Sequence, residues 1–422
     1  MRITTKRRRT AAVLATAVAA ALVLTGCSTG SSASTGKLTA WLWPGAVGDS
    51  VVSSAKKEFA SDKLQVNVIG GDFKQKLVTT FTGKTNVPSI TGVKGEDMPY
   101  FLQQSSLFTD LKSLVPASYL AQFPKWKLAE ATTADGKLIG IPTDIGPSAL
   151  FYRQDVLAKA GLPSEPAAVA DATSTWDKYF AFGKQLKEKT GASLEVSTGD
   201  VFSWSMAQAD SGFVSKSGKF TGDSATVKQA WDRAVTAEKA GVVANIEDGS
   251  PDWASAVNQG KLPTVIGAAW HAGDIKSAAP DTSGEWRVTA TPGGPGNAGG
   301  SFLTIPAATS DKKAALKVIE AMVAPSAQAT TYSQVGNFPS SSKALTESAL
   351  TKGDAFFGGQ DTVSVFQKSI ESMPTKYTSP YDAQVSAPYF TQLTNIQSQG
   401  KDPDQAWNDA VKAAKSALES AK

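Results

Sequence analysis

The chain has 422 residues, with 42 Lys and Arg against 38 Asp and Glu, ten Trp, one His and one Cys. A single imidazole and a single thiol exclude a two-histidine zinc set and an intrachain disulfide, and no Gly-x-Ser-x-Gly elbow or phosphate-loop Lys-Ser/Thr is present. The formal charge of +4 sits in the first nine residues, which hold five basic groups and no acid; without them the balance is −1, which argues against nucleic acid or a polybasic membrane patch as partner.

In chain order, Arg2, Lys6, Arg7, Arg8 and Arg9 precede an apolar run from Ala11 to Leu24. That is the pattern of a secretory signal, too short for a stable membrane span. The run ends in Leu24-Thr25-Gly26-Cys27, which resembles the bacterial lipobox, so residues 1–26 are expected to be removed and Cys27 to be lipidated. Ser28 to Gly36 has nothing apolar to pack and reads as a tether. Leu38 to Trp43 alternates as a strand, Val51, Val52, Ala55 and Phe59 recur at helical spacing, and Leu64 to Ile69 is the next strand. This β-α-β unit predicts a parallel sheet with ligand chemistry beyond the strand C-terminal ends. Phe73 to Phe81 reads as a helix and Ser89 to Val93 as a third strand followed by the loop Gly95-Glu96-Asp97. Two extended runs, Leu138 to Ile141 and Ser148 to Tyr152, meet across Pro142 to Pro147, a joint able to flex. Thr175 is an expected N-cap with Asp177 in the first turn, and Val227, Trp231 and Val235 trace a helix face. A strand follows at Trp286 to Ala290, then a Gly/Pro loop from Thr291 to Gly299. A last helix carries Trp407, Val411, Ala414 and Leu418.

The segment Asp135-Gly136-Lys137, Gly140-Ile141-Pro142, Leu150 to Asp155, Ala160-Gly161-Leu162-Pro163 and Thr175-Trp176-Asp177-Lys178 resembles the extracellular solute-binding proteins of ATP-binding-cassette importers, in the sugar-capturing family that includes maltose-binding protein. Leu138-Ile139 lacks that family's usual aromatic, and Arg153 stands in place of its usual Asn. The resemblance implies a two-lobed α/β fold of the type II periplasmic-binding-protein class with three hinge crossings. One lobe would comprise residues 37–144 plus 300–338, the other 145–299 plus 339–422. It implies capture of a carbohydrate between the lobes by a lipid-anchored monomer on the outer face of the cytoplasmic membrane, delivery to ABC permease subunits, and neither cofactor nor metal. A surface-anchored glycoside hydrolase, a binder of a non-sugar solute and a non-transporting sensor stay as alternatives.

A sugar binder needs flat aromatic faces against pyranose C–H groups and short polar side chains for hydroxyls. Trp176, Trp231 and Trp407 lie on helical stripes and read as core. Trp43 and Trp270 end strands beside turns, where the family places pocket residues; Trp41 divides between pocket and core, and Trp204 lies at a loop-to-helix step. Asp144 could accept two sugar hydroxyls at the first crossing or cap the Ile145 or Gly146 amide. Glu96 and Asp97 read as pocket acids or a solvated turn, and Asp72 as a pocket acid or an N-cap. Gly300 and Ser301 would offer an amide and a hydroxyl at the second crossing. His271 reads as ligand contact or structural histidine, and Tyr381 as a tail contact.

Overall fold

The computed structural model describes residues 37–422; the expected signal and Cys27 lie outside them. Strands β1 (Thr39–Leu42), β2 (Gln65–Val68) and β3 (Ile90–Lys94) are joined by the helices Asp49–Glu58 and Phe73–Gly83. Both β2 and β3 pair with β1 in parallel, as the β-α-β pattern predicts. Two later strands complete this sheet: β4 (Ile141–Pro142) and β9 (Ser301–Thr304), the latter antiparallel to both β3 and β4, in the order β2-β1-β3-β9-β4. The apolar run at 138–141 contributes less strand than its composition suggests, since Leu138 makes only an isolated bridge to Thr132.

A second sheet of order β7-β6-β8 is built from β6 (Ser148–Arg153), β7 (Thr264–Ala268) and β8 (Trp286–Thr289), all antiparallel to the central β6. All six residues of β6 are buried, because both of its faces are covered. Leu150 and Tyr152 point into a core shared with the helices Trp176–Thr190, Thr198–Ala207 and Ala225–Lys239 and with the terminal helices Asp382–Gln399 and Pro403–Ala421. Ala149 and Phe151 point the other way, into a core holding Trp253, Trp286, Phe357 and Phe366. Leu38 to Ile141 and Phe302 to Val323 supply a separate core for the first sheet. Trp176 and Trp231 are core, as their helical spacing implies, and Trp407 packs against the same cluster.

Between the sheets runs a two-stranded ribbon in which β5 (Asp144–Ile145) pairs antiparallel with β10 (Phe338–Pro339). Beside it the 296–300 stretch returns along 146–148: Ala298 N donates to the Gly146 carbonyl at 2.9 Å, and Ser148 N to the Gly296 carbonyl at 3.1 Å. Three extended segments therefore pass side by side from one sheet to the other.

Candidate functional site in the cleft beside the crossings

The floor of the site is the crossing itself. Gly300 adopts a φ of +107°, and a Cβ there would collide with the Asp144 carbonyl, so the close approach of the first two crossings requires glycine. Asp144 is 4% exposed. Its Oδ1 accepts from Ser301 N at 3.0 Å and from Thr143 Oγ1 at 2.6 Å. Burial pushes the carboxyl up, with those hydrogen bonds and the Lys127 charge opposing. Lys127, fully buried, donates from Nζ to the Gly299 carbonyl at 3.1 Å, pairs with Glu130 at 2.8 Å and sits 4.2 Å over the Phe302 ring. Asp144 thus fastens one crossing to the next, and Ser301 and Gly300 serve the same joint through backbone contacts.

The first wall rises at the ends of β1 and β3. Trp43, half-buried, lies against β3 so closely that a Cβ on Gly92 would come within 2.6 Å of its ring, and it meets Phe73 edge-on at 5.4 Å. Gly95 abuts the Gly300 carbonyl, which sets the adjoining Glu96 beside the floor. The Glu96 side chain is 67% exposed, with Lys94 4.0 Å away. The surrounding protein raises its pKa, and the neighbouring Asp97 adds to the rise.

The second wall comes from the other sheet. Trp270 follows β7 and opens the helix His271–Ala278; its ring tip would lie 3.0 Å from a Cβ on Gly146 and so overhangs the first crossing. His271 packs on β7 at Gly267, stacks with Trp270 at 6.4 Å and meets Trp204 edge-on at 6.3 Å. Trp204, on the Thr198–Ala207 helix, approaches Gly296. His271 Nε2 lies 3.3 Å from Asp248 Oδ2. Burial disfavours the imidazolium, but the hydrogen bond and charge of Asp248 outweigh it and raise the pKa; the same pair lowers that of Asp248 against its own desolvation. Asp200 begins the Trp204 helix, held by Ser197, whose Oγ accepts from Asp200 N at 3.2 Å and contacts Asp200 Oδ2 at 3.1 Å. Burial and the Asp248 charge push Asp200 up to about 6.

Several expected residues are placed elsewhere or otherwise occupied. Asp72 accepts from Gln75 N at 2.9 Å and is the N-cap of its helix. Asp97 is ion-paired with Lys74 at 3.1 Å. Trp41 shares a face of β1 with Trp43 but sits two residues back in the body of the sheet, packed against the core with Lys76 5.8 Å from its ring. Tyr381 packs against the helical core of the second sheet. His271 Nε2 is engaged with Asp248, and its Nδ1 is buried without a partner. Asp200 and Asp248 carried no motif of their own. A Ser-x-x-Asp pair at 197–200 is a capping signal that places a carboxylate at a helix start, whereas Asp248 reaches His271 only through the fold.

Among the described residues no group of three His, Cys, Asp or Glu could hold a metal ion, and no helix is long and apolar enough to cross a membrane.

The family model described as bacterial extracellular solute-binding protein matches residues 55–358, well over half of the chain. A lactose-binding protein of Rhizobium radiobacter is 26% identical over 400 residues, covering 89% of this chain and 92% of that protein. An arabinooligosaccharide-binding protein of Bacillus subtilis strain 168 is 26% identical over 291 residues, 64% of each chain. A crystal structure of an extracellular solute-binding protein of family 1 superposes with a TM-score of 0.79 at 26% identity, covering 90% of this chain and 99% of its own. With the two sheets, the shared crossings and this match in view, the chain belongs to the bacterial extracellular solute-binding protein family.

Proposed function

We propose that the chain captures a carbohydrate between two lobes, residues 37–144 plus 300–338 and 145–299 plus 339–422, and hands it to a membrane permease pair without chemical change. The observation that carries this reading is the grouping of two indoles, Trp204 and Trp270, with the carboxylates Asp200 and Asp248 around His271 beside the crossings. Indole faces cover the apolar side of a pyranose, and carboxylates accept its hydroxyls in pairs. The sugar-named relatives support the same ligand class. Groups from both walls complete the ligand's hydrogen bonds only when the lobes approach, which gives the ligand its preference for the closed form. Anchoring through lipidated Cys27 would keep the monomer beside its permease, since two acyl chains suffice for durable attachment.

Titration of the full chain, purified in mild detergent, with maltose, cellobiose, lactose and arabinobiose in a calorimeter tests the reading. Binding by at least one sugar, weakened by about 1–3 kcal/mol in Trp270→Ala while the unliganded melting temperature changes little, is the expected result. Release of reducing ends from any of these sugars would instead establish a hydrolase.

A further inference from the structure

Resting on the carbohydrate reading, we infer that this cleft admits uncharged glycans and rejects anionic ones, and that Asp200 and Asp248 set that selection. The argument is a charge inventory of the groups at the site. On the second wall Asp200, Asp248 and Asp274 surround one imidazole, His271, which is engaged with Asp248. Asp200 is held by the Ser197 hydroxyl, and the one cation acting on it is the same His271. Behind both lies Glu195, 2% exposed and with Oε1 unpartnered. On the first wall Lys74 pairs with Asp97, and Lys94 lies between Glu96 at 4.0 Å and the Trp43 ring at 5.6 Å, while Lys76 stands by Trp41. Lys127, below the floor, is wholly buried and paired with Glu130. No guanidinium appears among these groups, so nothing here offers the forked donor set that grips a carboxylate or phosphate.

Carboxylates of this kind accept two hydroxyl protons each, which a neutral sugar supplies and a uronate or sugar phosphate supplies less well while adding like charge. At a separation of roughly 6 Å in a partly desolvated cleft, that repulsion is worth about a tenfold loss of affinity or more.

The test uses the full chain in mild detergent. Each neutral disaccharide that binds is compared with the counterpart whose non-reducing terminal hydroxymethyl, on C6 of a hexose or C5 of an arabinofuranose, is oxidised to a carboxylate. The expected result is at least tenfold weaker binding of the acid, with the gap narrowing as salt rises and narrowing again in Asp200→Asn and Asp248→Asn. The ratio between the two ligands is the readout, because general damage to the site lowers both affinities together. Equal or tighter binding of the acid, or a gap that ignores both substitutions, overturns the inference while leaving carbohydrate capture intact. Failure of every sugar, neutral and acidic, to bind overturns the carbohydrate reading itself.

Discussion

Glu195 and Asp144 are both buried carboxyls, yet their surroundings assign them opposite tasks. Asp144 is surrounded by donors, and its Oδ1 holds two of them, so it acts as a fastener. Asp144→Ala leaves the Ser301 amide and the Thr143 hydroxyl without their acceptor, while the buried Lys127 keeps its pair with Glu130; it should cost about 1–3 kcal/mol in urea unfolding. Glu195 has one oxygen without a partner, and burial pushes its pKa from the ordinary 4.5 up to about 8, with Asp200 and Asp248 adding to the rise. An acid whose folded pKa is raised keeps its proton in the folded state while the unfolded chain releases it, so stability falls as pH climbs from about 4.5 to about 8. Glu195→Gln imitates the protonated form. Its melting temperature should match the parent near pH 4.5 and exceed it by several degrees at pH 8, as read by calorimetry across that range. A constant difference at all pH values would mean that Glu195 does not titrate there.

At the scale of the element, the helix Thr198–Ala207 carries two of the site's residues, Asp200 and Trp204, less than one full turn-and-a-half apart. Its start is fixed by Ser197, whose hydroxyl satisfies one of the orphan amides of the first turn. Ser197→Ala should lower stability by about 1 kcal/mol. It should also weaken sugar binding, because the carboxylate and the indole lose a common reference; titration of variant and parent side by side checks both effects. Unchanged affinity would show that the helix start is held by packing alone. Strand β6 shows the complementary case: its alternation is legible as a buried run, but which core each face enters depends on what packs there.

For the whole molecule, three side-by-side crossings join two sheets that do not share a core. The helix Pro325–Val335 spans the seam. Thr331 and Gln334 contact Gly48 and Ser50 beside the first sheet, and Val335 lies against Gly273 of the second. A saturating sugar should therefore reduce the radius of gyration in solution scattering. At ~100 times its dissociation constant it should add about 2.7 kcal/mol of stability, a rise of roughly 3 °C for a chain of this length. A ligand that stabilises without compacting the molecule would contradict capture by closure.

Local sequence determined the β-α-β start, the core identity of Trp176 and Trp231, the Thr175 cap and the Pro142 to Pro147 joint, because these follow from local spacing, from Gly and Pro, and from short-range hydrogen bonds, whereas the other crossings were implied by the family resemblance. Trp270 and Glu96 lie just beyond the ends of β7 and β3, as expected. Only the tertiary structure decided that Asp144 spends its Oδ1 on the joint, that Asp97 answers Lys74, and that His271 reaches Asp248 twenty-three positions away. The physical reason is that a carboxylate's role depends on which donors share its space, and those donors arrive from distant parts of the chain.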